Sequence, residues 1–127
     1  MVIDTSVLVA ALAGDRSQAR QLLQVLTAGI PVRVPATVFY EWSRGPRTSQ
    51  EEQVFARLFP DAVIRVLGPQ EARIAASLYR TLPGARKRQN DLAIAAHALA
   101  EDTELWTLNR EDFEDIPGLK LFRIESL

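Results

Sequence analysis

Three carboxylates stand in settings that surface solvation alone does not explain. Asp4 directly follows Met1-Val2-Ile3 and comes just ahead of the apolar stretch Val7 to Leu12. Glu41 lies among apolar neighbours in V-F-Y-E-W, and Asp91 begins a stretch that is otherwise nearly all apolar. Carboxylates gathered at one place repel and raise each other's pKa unless a cation neutralises them. Oxygen ligands with retained waters suit Mg²⁺ or Mn²⁺. Such an ion activates water and stabilises the leaving oxygen in phosphodiester hydrolysis. Each acid also has a structural alternative: Asp4 and Asp91 as helix caps, Glu41 as an ion pair with Arg44 on the next turn.

Other chemistries find less support. His97 is the only histidine, and it lies well around its helix from Asp91. With no cysteine there is neither a disulfide framework nor a thiolate metal site. No G-x-S-x-G, G-x-G-x-x-G or Walker A sequence is present, which argues against serine hydrolysis and nucleotide cofactors.

The acids matter only if the fold brings them together, and the chain alternates β-prone and helical stretches. Met1 to Ile3 reads as a strand running into a helix over Val7 to Leu12, with Thr5 or Ser6 as its cap. A helix is expected over Ser17 to Ala28, with Ala19, Leu22, Leu23 and Leu26 on one face, and a short strand over Pro31 to Pro35. Thr37 is expected to cap a helix that ends at Gly45-Pro46. Thr48 or Ser49 caps the next, with Glu51 and Glu52 in its first turn. Ala62 to Leu67 alternates like a strand, and Pro69 opens a long helix to about Leu82. Asn90 or Asp91 begins a further helix, Leu105 to Leu108 a strand, Asn109 to Asp112 a turn, and Leu119 to Ile124 a last strand. Strands alternating with helices predict an α/β fold with a mostly parallel sheet covered on both faces. Ligands bind at the carboxyl edge of such sheets, where Asp4 would lie.

The chain has 127 residues, 47% apolar and 24% charged, which fits one domain spanning 1–127 with a real core. No apolar run is long enough to cross a membrane, and no basic region precedes the first apolar stretch. A cytoplasmic location is expected. A net charge of -1 speaks against indiscriminate binding to polyanions, yet Arg86-Lys87-Arg88 is a compact basic run. Arginine's planar fork suits phosphate; a solvated loop is the alternative. The segment from Thr37 to Phe59 carries Val38, Phe39, Trp42, Val54, Phe55, Leu58 and Phe59, more large apolar groups than one buried face requires. The excess suits a homodimer contact or a partner groove.

The blocks I-D-T-S-V-L-V-A-A-L, V-F-Y-E-W-S-R-G, N-D-L-A-I-A-A-H-A-L and L-W-T-L-N-R-E-D-F, in this order over essentially the whole chain, resemble the PIN-domain ribonucleases. Among these they are most similar to the VapC toxins of toxin–antitoxin pairs. The resemblance implies a three-layer α/β/α sandwich and an acidic pocket for Mg²⁺ or Mn²⁺. It also implies endonucleolytic cleavage of RNA, a homodimer and inhibition by a cognate antitoxin. Asp4 and Asp91 would be the principal metal ligands, with Glu41 completing the shell or holding a water. Many relatives have an aspartate where this chain has Asn109, and the fourth acid is therefore expected at Asp112, acting through water. Asn109 would be its neutral neighbour, and a plain turn is the alternative for both. Thr5, Ser6 and Thr107 would orient the acids by hydrogen bonds, and Arg86, Lys87 and Arg88 would guide the RNA backbone.

Three alternatives use some of the same residues. One is a PIN-like module that binds RNA or protein with weak or no catalysis, for which Asn109 is the best support. A DNA-directed nuclease is another. A haloacid-dehalogenase-type phosphotransferase would want a second aspartate where this chain has Ser6.

Overall fold

The computed structural model describes residues 1–127. Its centre is a parallel sheet of very short strands: β1 (Val2–Ile3), β2 (Val34–Pro35), β3 (Ile64–Arg65) and β4 (Leu105–Trp106). β1 pairs with β4 and β2 with β3, and a parallel bridge between Val2 and Arg33 joins the two pairs. A further parallel bridge from Leu105 to Leu121 extends the far edge. The order across the sheet is thus β3-β2-β1-β4 followed by the Leu121 segment. Its ladder continues past the strand limits: Asp4 N donates to Trp106 O at 2.9 Å and Arg33 N to Met1 O at 2.8 Å.

Helices α1 (Thr5–Leu12), α2 (Arg16–Thr27), α3 (Ala36–Arg44), α4 (Ser49–Leu58), α5 (Pro69–Thr81) and α6 (Gln89–Ala100) fill the connections. The steps from β1 to β2 to β3 run one way across the sheet; the step from β3 to β4 runs back past β1. Right-handed crossovers therefore put α1–α2 and α5–α6 on opposite faces. The result is the three-layer α/β/α sandwich the sequence implied. Val2, Ile3, Val34, Leu105 and Trp106 are buried between the layers, with Val7, Leu8, Leu22, Val25, Leu92, Ile94 and Ala95 packed onto them from the helices. β1 and β4 are apolar at every position, as strands covered on both faces must be. No helix is long and apolar enough to cross a membrane.

Several local expectations need correction. Thr5 and Ser6 do not cap α1; both are inside it, and Asp4 is the cap, its Oδ1 accepting from Thr5 N at 2.8 Å. Thr37 does not cap α3, which starts one residue earlier after Pro35, and its hydroxyl is left buried without a partner. Leu23 is exposed, because the buried face of α2 is carried by Leu22 and Val25. The strand expected over 62–67 begins as a 3₁₀ turn, Asp61–Val63, and keeps only Ile64–Arg65; Val66 and Leu67 face solvent beyond the sheet's edge. The last strand contracts to the bridge at Leu121, and Ile124–Ser126 turns as 3₁₀. Thr48 does cap α4, its hydroxyl accepting from Glu51 N at 3.1 Å, and Pro69 does open α5.

Candidate functional site

The sheet order reverses at β1, whose two neighbours are reached by connections running in opposite directions. The carboxyl ends of β1 and β4 therefore open a crevice, the usual ligand position in open α/β sheets. Asp4 leaves β1 into this crevice and Thr107 leaves β4 beside it. Both are buried. Thr107 Oγ1 donates to Asp4 Oδ2 at 2.7 Å and Ser6 Oγ donates to the same oxygen at 3.0 Å. The two hydroxyls in turn accept from the loop after β4, Ser6 Oγ from Leu108 N and Thr107 Oγ1 from Asn109 N, each at 3.0 Å. Asp4 is thus a helix cap and a fixed acid at once. It accepts three hydrogen bonds, leaving roughly one of about four lone-pair positions open.

Glu41 reaches the crevice from α3. Its Oε1 accepts from Thr5 Oγ1 at 3.0 Å and from the side-chain amide of Asn90, and Arg44 comes within 4.0 Å of Oε2. The ion pair with Arg44 exists, but it is long and solvent-exposed, the kind that contributes little. Asn90 is a site residue that sequence reasoning used only as a helix start. The signal was its place directly before Asp91, since a donor is what two neighbouring acids need.

Asp91 is in the first turn of α6 and does not cap it; Arg88 occupies the cap position and makes no side-chain cap bond. Asp91 is half-buried, and no hydrogen bond contributes to its titration. Its pKa is pushed up to about 6, first by burial and then by Asp4, Asp112 and Glu41, with only Arg88 opposing. Asp4, Thr5, Ser6, Glu41, Asn90, Asp91 and Asn109 line one hollow of about 470 Å³, walled by Val9 and Ala10.

Asn109 thus lines the hollow and Asp112 does not. Asp112 ends a 3₁₀ turn, Arg110–Asp112, exposed to solvent, and acts on Asp91 through its charge. Among the basic residues, Arg88 is occupied: its guanidinium forks onto Asp115 at 2.6 and 2.8 Å and donates to Asp112 O at 2.9 Å. This pairing holds Asp115 below and Arg88 above their ordinary pKa values. Arg86 and Lys87 remain exposed and without a carboxylate partner. His97 is buried on the far part of α6; burial lowers its pKa, and it takes no part in the hollow.

No three acids are close enough to cage an ion unaided. Mg²⁺ does not require that, being held by one or two carboxylates while keeping several waters. A buried, immobilised Asp4, an unpartnered Asp91 and a third acid across the hollow fit such an ion. The excess negative charge in the hollow is offset only by Arg44, 4.0 Å from Glu41, and by Arg88, whose guanidinium is already engaged by Asp115.

A second concavity lies on the other side of α3. Phe39, Trp42, Phe55 and Phe59 line a groove of about 540 Å³ with Glu52 and Asp61 at its rim. Phe55 stacks between Phe39 and Trp42 at centroid distances of 5.0 and 4.6 Å. Trp42 Nε1 is buried with no acceptor.

Comparison with known proteins agrees with this architecture. The PIN-domain family model matches residues 1–119. No curated protein matches the chain. It is similar in structure to a chain of the VapBC2 complex from Rickettsia felis bound to a DNA fragment from their promoter, with a TM-score of 0.73 and 24% identity over 95% of this chain and 96% of that one. A toxin–antitoxin complex from Klebsiella pneumoniae matches with a TM-score of 0.68 and 25% identity over 93% of each chain.

Proposed function

The chain belongs to the PIN-domain family, and on that premise we propose that it is a Mg²⁺- or Mn²⁺-dependent endoribonuclease, the toxin of a VapBC-type pair. The observation that carries this is Asp91. A half-buried carboxylate without a donor, raised to about 6 beside Asp4, Asp112 and Glu41, is a poor structural element and a good ligand for a cation.

Asp4 and Asp91 would hold the ion, with Glu41 as third ligand or as acceptor for a water. A divalent ion bound there supplies the Lewis acidity that makes water nucleophilic near neutral pH and stabilises the leaving oxygen. The protein's share is orientation. Thr107 and Ser6 fix Asp4 Oδ2, while Thr5 and Asn90 fix Glu41 Oε1, so neither carboxylate must reorganise when substrate arrives. Asp112 adds charge at longer range. Arg86 and Lys87 are free to meet phosphate; Arg88 holds the 112–115 turn against the start of α6. Bases are best read in unpaired RNA, so an RNA with an exposed single-stranded loop is the expected substrate.

The groove of Phe39, Trp42, Phe55 and Phe59, with Glu52 and Asp61 at its rim, suits an antitoxin segment with apolar anchors and basic flanks. A homodimer in the cytoplasm is the expected form of the free protein. The competing reading, a PIN-like module that binds without cutting, rests on Asn109 standing in the hollow where an acid would add charge.

One assay decides between them. Wild-type protein with Mg²⁺ should cleave a loop-bearing RNA and leave DNA of the same sequence intact, and Asp91→Asn should retain below about 1% of that activity while remaining folded. Full activity of Asp91→Asn would overturn the site assignment. Binding of RNA by wild type without cleavage under Mg²⁺ or Mn²⁺ would favour the silent module.

A further inference from the structure

The first turn of α6 has two sides. Asn90 and Asp91 face the acid hollow; Gln89 and Leu92 face the opposite way, into a separate depression of about 330 Å³ closed by Ala75, Ala76, Tyr79 and Arg80 of α5. Leu92 is buried and forms its floor; Ala75 and Ala76 are too small to fill it. Tyr79 is 44% exposed at its wall. Arg80 has no carboxylate partner, and Gln89 turns its amide to Arg86 O at 3.3 Å, which holds the basic 85–87 turn next to the opening. That turn is possible because Gly84 takes φ +64°, a left-handed conformation other residues rarely adopt.

We infer that this depression takes up an unstacked nucleobase of the RNA, resting on the ribonuclease reading above. Single-stranded RNA is held by bases stacked on aromatic rings or guanidinium planes and by hydrogen bonds to their edges. Tyr79 provides the ring, Arg80 the second planar face, and Gln89 an amide that both donates and accepts. Arg86 and Lys87 supply positive charge for the adjoining phosphates. An α-helix is about 10–12 Å across with its side chains, so a short single strand crossing the start of α6 joins this pocket to the acid hollow. Bound there, a base fixes the position of the phosphodiester presented to Asp91. A second copy of the chain is the other occupant such a surface admits, and the cationic rim without matching acids favours RNA.

The test uses the Asp91→Asn protein without metal, so that binding is read apart from cleavage, and fluorescein-labelled decamers of uridylate, adenylate and an abasic analogue. Tyr79→Ala should weaken binding of the base-bearing decamers about tenfold and leave the abasic decamer unchanged, while Tyr79→Phe restores affinity. Equal affinity of Tyr79→Ala and its parent for all decamers, with cleavage by the otherwise wild-type enzyme intact, overturns the pocket and leaves the nuclease standing. A loss of equal size on the abasic decamer overturns it too, as does a shift of Tyr79→Ala from dimer to monomer with RNA affinity kept. Failure of the wild-type protein to bind or cut any RNA removes the ribonuclease reading itself, and the pocket with it.

Discussion

Helix α3 serves two concave surfaces from opposite sides. Glu41 faces the acid hollow, whereas Phe39 and Trp42 face the aromatic groove. In the hollow, polar atoms are tied to one another by hydrogen bonds, and the cost that remains is repulsion between carboxylates. In the groove, large rings are stacked and buried on one flank, and the cost that remains is exposed apolar surface and a buried tryptophan N–H without an acceptor. The hollow thus keeps surplus charge, and the groove keeps surplus apolar area. Substitutions should therefore separate stability from function differently on the two sides.

The largest effect on stability belongs to the groove. Phe55 is buried and touches Phe39, Trp42 and Phe59, so Phe55→Ala should cost about 3–5 kcal/mol in urea unfolding. A loss under about 1 kcal/mol would mean that the stack is surface decoration. Next comes the hollow's scaffold. Thr107→Val keeps volume and removes the donor to Asp4 Oδ2 and the acceptor for Asn109 N. It should weaken Mn²⁺ binding about 10- to 100-fold, as calorimetry would show; unchanged affinity would demote the hydroxyl to packing.

Phe39 is partly exposed on the groove. Phe39→Ala should lower affinity for a cognate antitoxin by about tenfold or more, while its melting temperature moves only slightly. If the complex survives unchanged in size-exclusion chromatography at nanomolar concentrations, the antitoxin docks elsewhere. The smallest effect concerns pH. Asp91 titrates at about 6 in the fold against an ordinary 3.8, so its ionisation is harder in the folded state. Its neutral form carries no such cost below 3.8, and the cost is complete once pH has risen through about 6. Without metal, Asp91→Asn should therefore melt a few degrees higher than wild type at pH 7.5, with the gain fading between pH 6 and 3.8. Mg²⁺ should reverse the order at pH 7.5 by stabilising only the wild type. A variant that melts lower than wild type at pH 7.5 in chelator would show that Asp91 is held by a favourable contact.

Much of this was legible in the residues. The order of elements, the cap at Thr48, the proline opening α5 and the parallel sheet all follow from local patterns, because apolar periodicity and turn chemistry act over a few residues. The acids Asp4, Glu41 and Asp91 stood out because each broke an apolar stretch. Strand limits were less legible. Ala62 to Leu67 alternates well, yet an edge position gives Val66 and Leu67 nothing to pack on.

What only the tertiary structure decided is which atoms meet. Thr107 and Asp4 are far apart in the chain, and parallel pairing of β1 with β4 alone puts the hydroxyl 2.7 Å from the carboxylate. The chain likewise offered Arg88 as a phosphate ligand, and the turn at 112–115 claimed it through Asp115. Asn109 rather than Asp112 entered the hollow because the loop after β4 is pinned through the amide of Asn109 before the 3₁₀ turn carries Asp112 outward. Sequence set the kind of charge and its local setting, because those are properties of neighbours along the chain. Coulomb repulsion and hydrogen bonding depend on distance through space, and folding alone supplies that.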